Sequence, residues 1–533
     1  MRRFNSYGPI NTNLHYYAPR KELIAKAFIQ LVGENPLEGG HYVTVWAPRQ
    51  TGKTWVMQEI LFQLKKDPRF DILKINLEIL KDKDDTGEII NVIARKIGEG
   101  LGKKISGINN QDQFQEIFKK DILTKPLILI LDEFDALSEK GINTIVSAFR
   151  NIHISRMDEK DKTTEQKTYL LHAVALIGVR SVLGIENEKG SPFNIQRSIH
   201  ISNLTFEEVK EMFQWYEKES GQKIEPAVIE KLYQETAGQP GLTCWLGELL
   251  TEGFEDYQVD RSRPITMRDY EIAYAAATYA LPNNTILNII SKANQEPNKS
   301  FIFDMFQTNE KLEFKFDDKI INSLYMNGIA DKEIVDQTKY YIKFSSPFVQ
   351  KRLFNYFSYE MFRQMGTLVE PFTSLDNVIT DTDLHIKNLL GLYQEYLAKN
   401  KDWLFKEAPR RNDLRIYEAV YHFNLFSYIN EFLRNKNGQV IPEFPTGNGK
   451  IDLLIYYQGK QYGIELKSYR DEAGFKLALK QAALYGKRLQ LGEIFLSVFV
   501  QYIDDKNRAK YEVDYLDEET GIMVKPVFIA TGN

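Results

Sequence analysis

The apolar positions of this chain follow three rhythms, and each predicts a different kind of element. Tyr42-Val43-Thr44-Val45-Trp46 and Leu127-Ile128-Leu129-Ile130-Leu131 are nearly unbroken apolar runs, the pattern of strands covered on both faces in a parallel sheet. Apolar stretches over 72–77, 173–179 and 198–201 predict further strands, and Val56, Met57, Ile60, Leu61 and Leu64 recur at helical spacing. Strands alternating with helices in this way predict a doubly wound parallel sheet. Later in the sequence the rhythm changes. Ile451, Leu453, Leu454 and Ile455, then Tyr462, Ile464 and Leu466, flank Gln458-Gly459 and predict two strands joined by a two-residue hairpin turn. Leu414, Glu418, Tyr421 and Leu425 share one face of a predicted helix before that hairpin, and a second helix, containing Gln481 and Tyr485, is predicted after it. Between the two regions, Ile286, Leu287, Ile289 and Ile290, then Ile320, Ile321, Leu324 and Tyr325, predict helices. Two short strands around 329–335 and 340–344 follow, and 358–400 reads as a helical connector.

The hairpin brings charged groups together. With Gln458-Gly459 as the turn, Asp452 stands directly across from Glu465, at a Cβ separation of roughly 4.5–5.5 Å. Lys467, two residues beyond Glu465, projects from the same face. These three residues would also suit the polar face of an ordinary amphipathic hairpin. Their neighbours, however, are apolar on both faces, which predicts burial, and buried carboxylates are paired or bind a metal.

The spacing Asp452-x12-Glu465-x-Lys467 resembles the core of the PD-(D/E)XK nuclease superfamily, without the proline of its nominal signature. The helix bearing Glu418 and the run Gln481-Ala482-Ala483-Leu484-Tyr485, similar to the Gln-xxx-Tyr element of RecB-type members, extend the likeness over about the last 130 residues. The resemblance implies that Asp452 and Glu465 bind Mg²⁺ or Mn²⁺ and that Glu418 completes the shell directly or through water. It further implies that Lys467 positions or activates the attacking water, and that Gln481 and Tyr485 orient the substrate strand or brace the site. Lys476, Lys480, Lys487 and Arg488 on the same helix suit either a nucleic-acid backbone track or a solvated face.

A second motif follows the first apolar run. Ala47-Pro48-Arg49-Gln50-Thr51-Gly52-Lys53-Thr54 matches the P-loop pattern except for Ala47 in place of the first glycine. Backbone N–H groups from Gln50, Thr51 and Gly52 through Thr54 would cradle phosphate at a helix N-terminus, Lys53 would reach the β and γ phosphates of ATP, and Thr54 would hold Mg²⁺. The run 127–131 ends in Asp132-Glu133, which matches a Walker B element: Asp132 would contact the magnesium shell and Glu133 would polarise the attacking water, where a bare Asp-Glu pair would merely cap the following helix. Residues 15 to 270 resemble AAA-type ATPases, more closely the AAA-like and STAND-related group. That resemblance implies a sensor position at Arg180, an arginine finger at Arg197 or Arg150, a lid opened by the capping box of Thr205 and Glu208, and a winged-helix-like domain after the lid. Gly238-Gln239-Pro240-Gly241 is similar to the nucleotide-sensing element of such lids, and equally suits a helix stop and turn.

Composition sets outer limits. A chain of 533 residues with 43% hydrophobic content holds three or four domains. The net charge of −5 disfavours a wholly basic nucleic-acid binder, and residues 381–533 carry 21 Lys plus Arg against 21 Asp plus Glu, so nucleic acid must be gripped by local patches and metal. The single Cys244 excludes an internal disulfide and a thiolate zinc site. No apolar run approaches the roughly 20 residues of a membrane span, and the first residues lack an apolar signal core, so a cytoplasmic protein is expected. The expected architecture is α/β and multidomain: a P-loop core over 1–202, a helical lid over 203–275, a winged-helix-like domain over 276–357, a connector over 358–400 and an α/β PD-(D/E)XK domain over 401–533. The expected activity is metal-dependent cleavage of nucleic acid, DNA foremost, gated or driven by the ATP-binding module, with homo-oligomers formed through that module. Prokaryotic defence would suit such a fusion by analogy. The alternatives are a nucleotide-dependent switch or scaffold that binds without cutting, or an ATPase of DNA repair or transposition.

Overall fold

The unbroken apolar runs fold into the centre of a parallel sheet. The computed structural model describes residues 1–8, 10–48, 51–81, 83–178, 197–307, 311–335, 337–364, 377–405, 408–410, 416–434, 436–443 and 452–531. They form two units, one of residues 1–285 with 316–328 and the other of 286–315 with 329–533.

In the first unit, β1 (Tyr42–Trp46), β2 (Asp71–Asn76), β3 (Leu127–Asp132), β4 (Leu171–Gly178) and β5 (Arg197–His200) run parallel in the order β2-β3-β4-β1-β5. Side chains alternate across a strand, so each central strand feeds two cores. Leu127, Leu129 and Leu131 pack with Ile89, Ile93 and Phe149 from the helices Thr86–Leu101 and Glu139–Asp158. Ile128 and Ile130 pack with Ile24, Leu31, Met57 and Ile60 from the helices Lys21–Val32 and Lys53–Leu64. Burying each such side chain fully stabilises the fold by about 1.5–3 kcal/mol. The lid begins at the predicted capping box, with Thr205 and Glu208 satisfying each other's backbone N–H groups. Gly238 follows at φ 68° between two lid helices, where a Cβ would come within 2.1 Å of the Leu204 carbonyl oxygen. Both position and conformation therefore require glycine.

In the second unit, β6 (Ala330–Val335) and β7 (Lys339–Phe344) form an antiparallel pair. A separate six-stranded sheet contains β8 (Gly438–Glu443), β9 (Asp452–Tyr457), β10 (Lys460–Ser468), β11 (Glu493–Val500), β12 (Tyr515–Leu516) and β13 (Met523–Ala530), in the order β12-β13-β11-β10-β9-β8. β10, β11 and β13 are parallel neighbours, and the remaining pairings are antiparallel. The helix Glu472–Arg488 crosses from β10 to β11 and covers the face carrying Ile494, Leu496 and Val498. The helix Glu418–Leu433 lies on the opposite face, where Tyr421 stacks on Phe499 at 5.4 Å. An aromatic cluster fixes that helix, with Phe423 within 5.7 Å of Phe303, Phe306 and Phe354.

One buried polar chain ties the first unit together beneath its sheet. Arg156 Nη2 donates to Thr164 Oγ1 at 2.8 Å, Thr164 Oγ1 donates to His172 Nδ1 at 3.0 Å, and His172 Nε2 donates to the Val32 carbonyl at 2.9 Å. Burial, against the Val32 hydrogen bond and reinforced by the Arg156 and Arg69 charges, pushes the His172 pKa down to about 4. An unfolded histidine titrates near 6.5. The unfolded chain therefore takes up a proton that the folded chain refuses as the pH falls from about 6.5 towards 4, and stability is lost across that window. Denaturant unfolding of this unit should show about 2 kcal/mol less stability at pH 5 than at pH 7; a transition unmoved over that range would contradict a neutral His172.

Candidate functional site

The loop after β1 carries the first site. Gly52, at φ 87°, caps the helix Lys53–Leu64, a turn that needs glycine. Thr51 is buried, and its hydroxyl donates to the Pro48 carbonyl at 2.8 Å. Lys53 Nζ donates to the carbonyls of Ala47 and Pro48, both at 2.7 Å, so the ammonium is held within the loop that a phosphate would enter. Thr54 is exposed on the first helical turn. Amide groups at a helix N-terminus, with an ammonium beside them, form an anion cradle.

Two acids stand at the end of β3, and the second, Glu133, lies within reach of the Lys53 charge. Asp132 is buried and ion-paired to Lys74 of β2 at 2.8 Å. Glu133 adopts a left-handed conformation at φ 54°, and its N–H donates to Asp132 Oδ1 at 3.1 Å. Burial, then the charges of Asp135 and Asp132, push the Glu133 carboxyl above its ordinary range against the pull of Lys53. A raised carboxyl pKa beside a phosphate cradle suits a group that accepts a proton from water.

A second constellation lies on β9 and β10. Gln458 (φ 49°) and Gly459 (φ 75°) make the hairpin turn, and the register sets Glu465 opposite Asp452. Both carboxylates have no solvent exposure, and Lys467 is 6% exposed. Glu443 of β8 is in register with Asp452 on its other side. Glu418 is the first residue of its helix, and its carboxylate lies 3.4 Å from His422 Nε2, one turn on. Burial pushes the Glu418 carboxyl up, but hydrogen bonds from His422 and Ser468 and the charges of His422 and Lys467 more than offset it and hold the carboxyl below its usual range. A cavity of about 530 Å³ is lined by Glu418, Lys467, Ser468, Arg470 and Gln481, among others.

Several sequence expectations are modified here. Gln50 and Arg180 lie outside the described residues, as do Leu414 and residues 444–451. Glu418 opens its helix instead of lying within a longer apolar stripe. Gln481 lines the cavity, whereas Tyr485 is 4% exposed and packed in the core with Phe475 and Leu479, because the apolar face of the helix claims it. Arg197 is engaged by Gln30 and Glu34. Among the described residues no three His, Cys, Asp or Glu side chains are grouped as a metal site. Lys74 and His422 were not anticipated. Lys74 interrupts the apolar run of β2, and His422 sits at the i+4 position from Glu418, so both left a signal.

Loop, capped helix and paired acids on a parallel sheet define a P-loop nucleotide-binding ATPase unit. Residues 6–253 match the AAA-like domain family, and the chain thus carries an AAA-like P-loop ATPase domain. Similar solved structures include the ORC1 protein of Aeropyrum pernix in complex with DNA, at 15% identity over 63% of this chain and 92% of that one, with a TM-score of 0.32. A Walker-type ATPase of Pyrococcus abyssi is similar at 13% identity over 66% of this chain and 99% of that one, TM-score 0.37. The RuvB Holliday junction branch migration motor of Thermotoga maritima is similar at 12% identity over 61% and 92%, TM-score 0.34. No curated protein matches the chain. No described helix is long and apolar enough to cross a membrane.

Two substitutions separate binding from hydrolysis at the first site. Lys53→Ala should abolish saturable nucleotide binding at micromolar concentrations, and Glu133→Gln should keep binding while phosphate release falls by about 10²–10⁴-fold, as read by a fluorescent-nucleotide titration and a phosphate assay on the same preparations. Hydrolysis at the wild-type rate in Glu133→Gln would remove that residue from the reaction.

Proposed function

We propose that the chain is an ATP-binding and ATP-hydrolysing, metal-dependent nuclease that cleaves phosphodiester bonds in nucleic acid, DNA foremost, with the ATPase unit gating or driving the cut. The observation that carries this reading is the pairing of Asp452 with Glu465, both without exposure, on adjacent strands whose second member continues to Lys467. Two facing carboxylates are a suitable donor set for Mg²⁺ or Mn²⁺, which take oxygen ligands and retain several waters. Bound there, the cation would supply charge relief at the phosphate and a water of lowered pKa. Lys467, at the cavity wall, would hold and orient the attacking water, and Gln481 across the cavity would hydrogen-bond the strand. Glu418 would act through that water rather than as a direct ligand, with His422 and Ser468 keeping it ionised. Tyr485 would brace the helix from the core. In the other unit Thr54 and Asp132 would share the magnesium of bound ATP.

Gating draws support from the segment 316–328, whose chain neighbours on both sides belong to the second unit. Tyr325 on this segment lies 5.8 Å from the Trp46 ring, and a Cβ on Gly328 would come within 3.1 Å of Pro48. A nucleotide that shifts the loop after Trp46 therefore acts on a segment continuous with the second unit. The winged-helix-like reading of 276–357 and homo-oligomers built through the ATPase unit belong to the same proposal. So do a cytoplasmic setting and prokaryotic defence.

A second reading, a nucleotide-dependent switch that binds nucleic acid or a partner without cleavage, is favoured by one observation: among the described residues no third metal-ligating side chain joins the carboxylate pair. Plasmid, linear and single-stranded DNA and RNA incubated with the protein and Mg²⁺ or Mn²⁺, with and without ATP, separate the two. Cleavage that falls by at least 10²-fold in Asp452→Ala and responds to ATP in the wild type but not in Lys53→Ala is the expected result. Intact substrates in every condition, with nucleotide binding retained, would favour the switch.

A further inference from the structure

The helix Glu472–Arg488 turns an unusual face to solvent. Its other face is in the core, through Phe475, Ala478, Leu479, Ala482 and Tyr485. On the outer face Leu477 and Leu484 are 57% and 59% exposed. Single exposed leucines are ordinary on a protein surface. These two stand seven positions apart, about 10.5 Å along the helix, with Gln481 between them. Leu477 and Gln481 both line the cavity that holds Lys467 and Glu418.

Beyond its first residue, Glu472, the charges on the same helix are all positive. Lys480 and Lys487 are exposed, and among the described residues neither has a carboxylate within 4.0 Å; Lys476 pairs with Glu472 at 3.3 Å. Cations along a helix face with apolar side chains set between them complement a ligand that has a polyanionic edge and an apolar face. A blunt duplex offers phosphates and groove edges but keeps its base faces stacked inside. An unpaired strand offers both at once, and proteins that hold one combine a cationic track with side chains that contact base faces; leucine is among the apolar residues that insert between bases. The cavity, at about 530 Å³, has the size of pockets that enclose one small-molecule-sized group, which suits a single unstacked nucleotide.

We propose that this helix is the platform for an unpaired strand, with Leu477 and Leu484 against two base faces of the same strand, Lys480 and Lys487 along the phosphates, and one nucleotide admitted to the cavity beside Lys467. The preferred substrate is thus single-stranded nucleic acid or a frayed or tailed end, not blunt duplex. In taking nucleic acid as the ligand, this rests on the nuclease reading above.

The test is fluorescence anisotropy in EDTA, so that binding is read apart from cutting. Probes are a labelled 20-nucleotide DNA single strand, the same sequence as RNA, its blunt DNA duplex and a duplex with a single-stranded tail, each titrated with the full chain. Single-stranded and tailed probes should bind at least about tenfold tighter than the blunt duplex. The double variant Leu477→Ser with Leu484→Ser should lose about tenfold on the single strand, a modest share of typical base-stacking contributions, with its salt dependence unchanged. Lys480→Ala with Lys487→Ala should instead flatten the salt dependence by roughly one to two in logarithmic slope. All four positions are exposed, so an unchanged thermal melt is the folding control. Blunt duplex bound as tightly as single strand, or leucine substitutions without effect on any probe, would overturn the proposal. Cleavage that needs Asp452 yet ignores strandedness and the leucines overturns the platform alone. Strand-selective, leucine-dependent binding by a protein that cuts nothing supports the platform and removes the nuclease.

Discussion

Two carboxylates that face each other across neighbouring strands, both out of contact with solvent, are the constraint on which the second unit depends. At the roughly 5 Å expected of facing side chains, two like charges repel by about 3 kcal/mol even at an effective dielectric of 20, and each has also given up its hydration. A hairpin accepts that arrangement where a neighbouring positive charge or a shared proton offsets the repulsion, and Lys467, two residues beyond Glu465 and on the same face, supplies one such charge. The rest of this sheet reads as support for the pair. The two-residue turn sets the register, the crossover helix Glu472–Arg488 covers the face on which Glu465 and Lys467 lie beside Leu496 and Val498, and the aromatic cluster around Phe423 anchors the helix that presents Glu418.

The first unit meets the converse demand. There the charged groups gather at the carboxyl ends of parallel strands, where backbone amides and Lys53 favour an anion and Asp132 is balanced by Lys74. Glu133 is the strained member, left-handed and with its carboxyl raised by burial and two neighbouring acids. Strain and perturbed acidity at one residue beside a phosphate cradle are features of a site shaped for reaction rather than for stability.

Much of this was legible in the chain because it depends on short-range rules. Runs such as Leu127 to Leu131 carry the pattern of a strand buried on both faces, and a two-residue turn at Gln458-Gly459 fixes one hairpin register, so the facing of Asp452 and Glu465 followed from the turn alone. What escaped depends on contacts between distant segments. Tyr485 shares a helical face with Gln481 on paper, but the core formed with Ile494 and Val524 takes its ring. Glu418 fits an apolar stripe beginning at Leu414, yet its helix starts at Glu418 itself, and its acidity is set by His422 and Ser468. The expected partition of the chain is contiguous, whereas 316–328 groups with the first unit through rings such as Trp46 and Tyr325, which lie hundreds of residues apart and leave no local pattern.

The proposed function requires the buried carboxylate pair to hold a cation. Calorimetric titration of Mn²⁺ into the nucleotide-free protein, compared with Asp452→Asn and Glu465→Gln, addresses it without any cleavage assay. Beyond any contribution from the P-loop, which Lys53→Ala and Asp132→Asn controls identify, a saturable binding event is expected in the wild type and should disappear in both carboxylate variants. An identical isotherm in wild type and variants would contradict it.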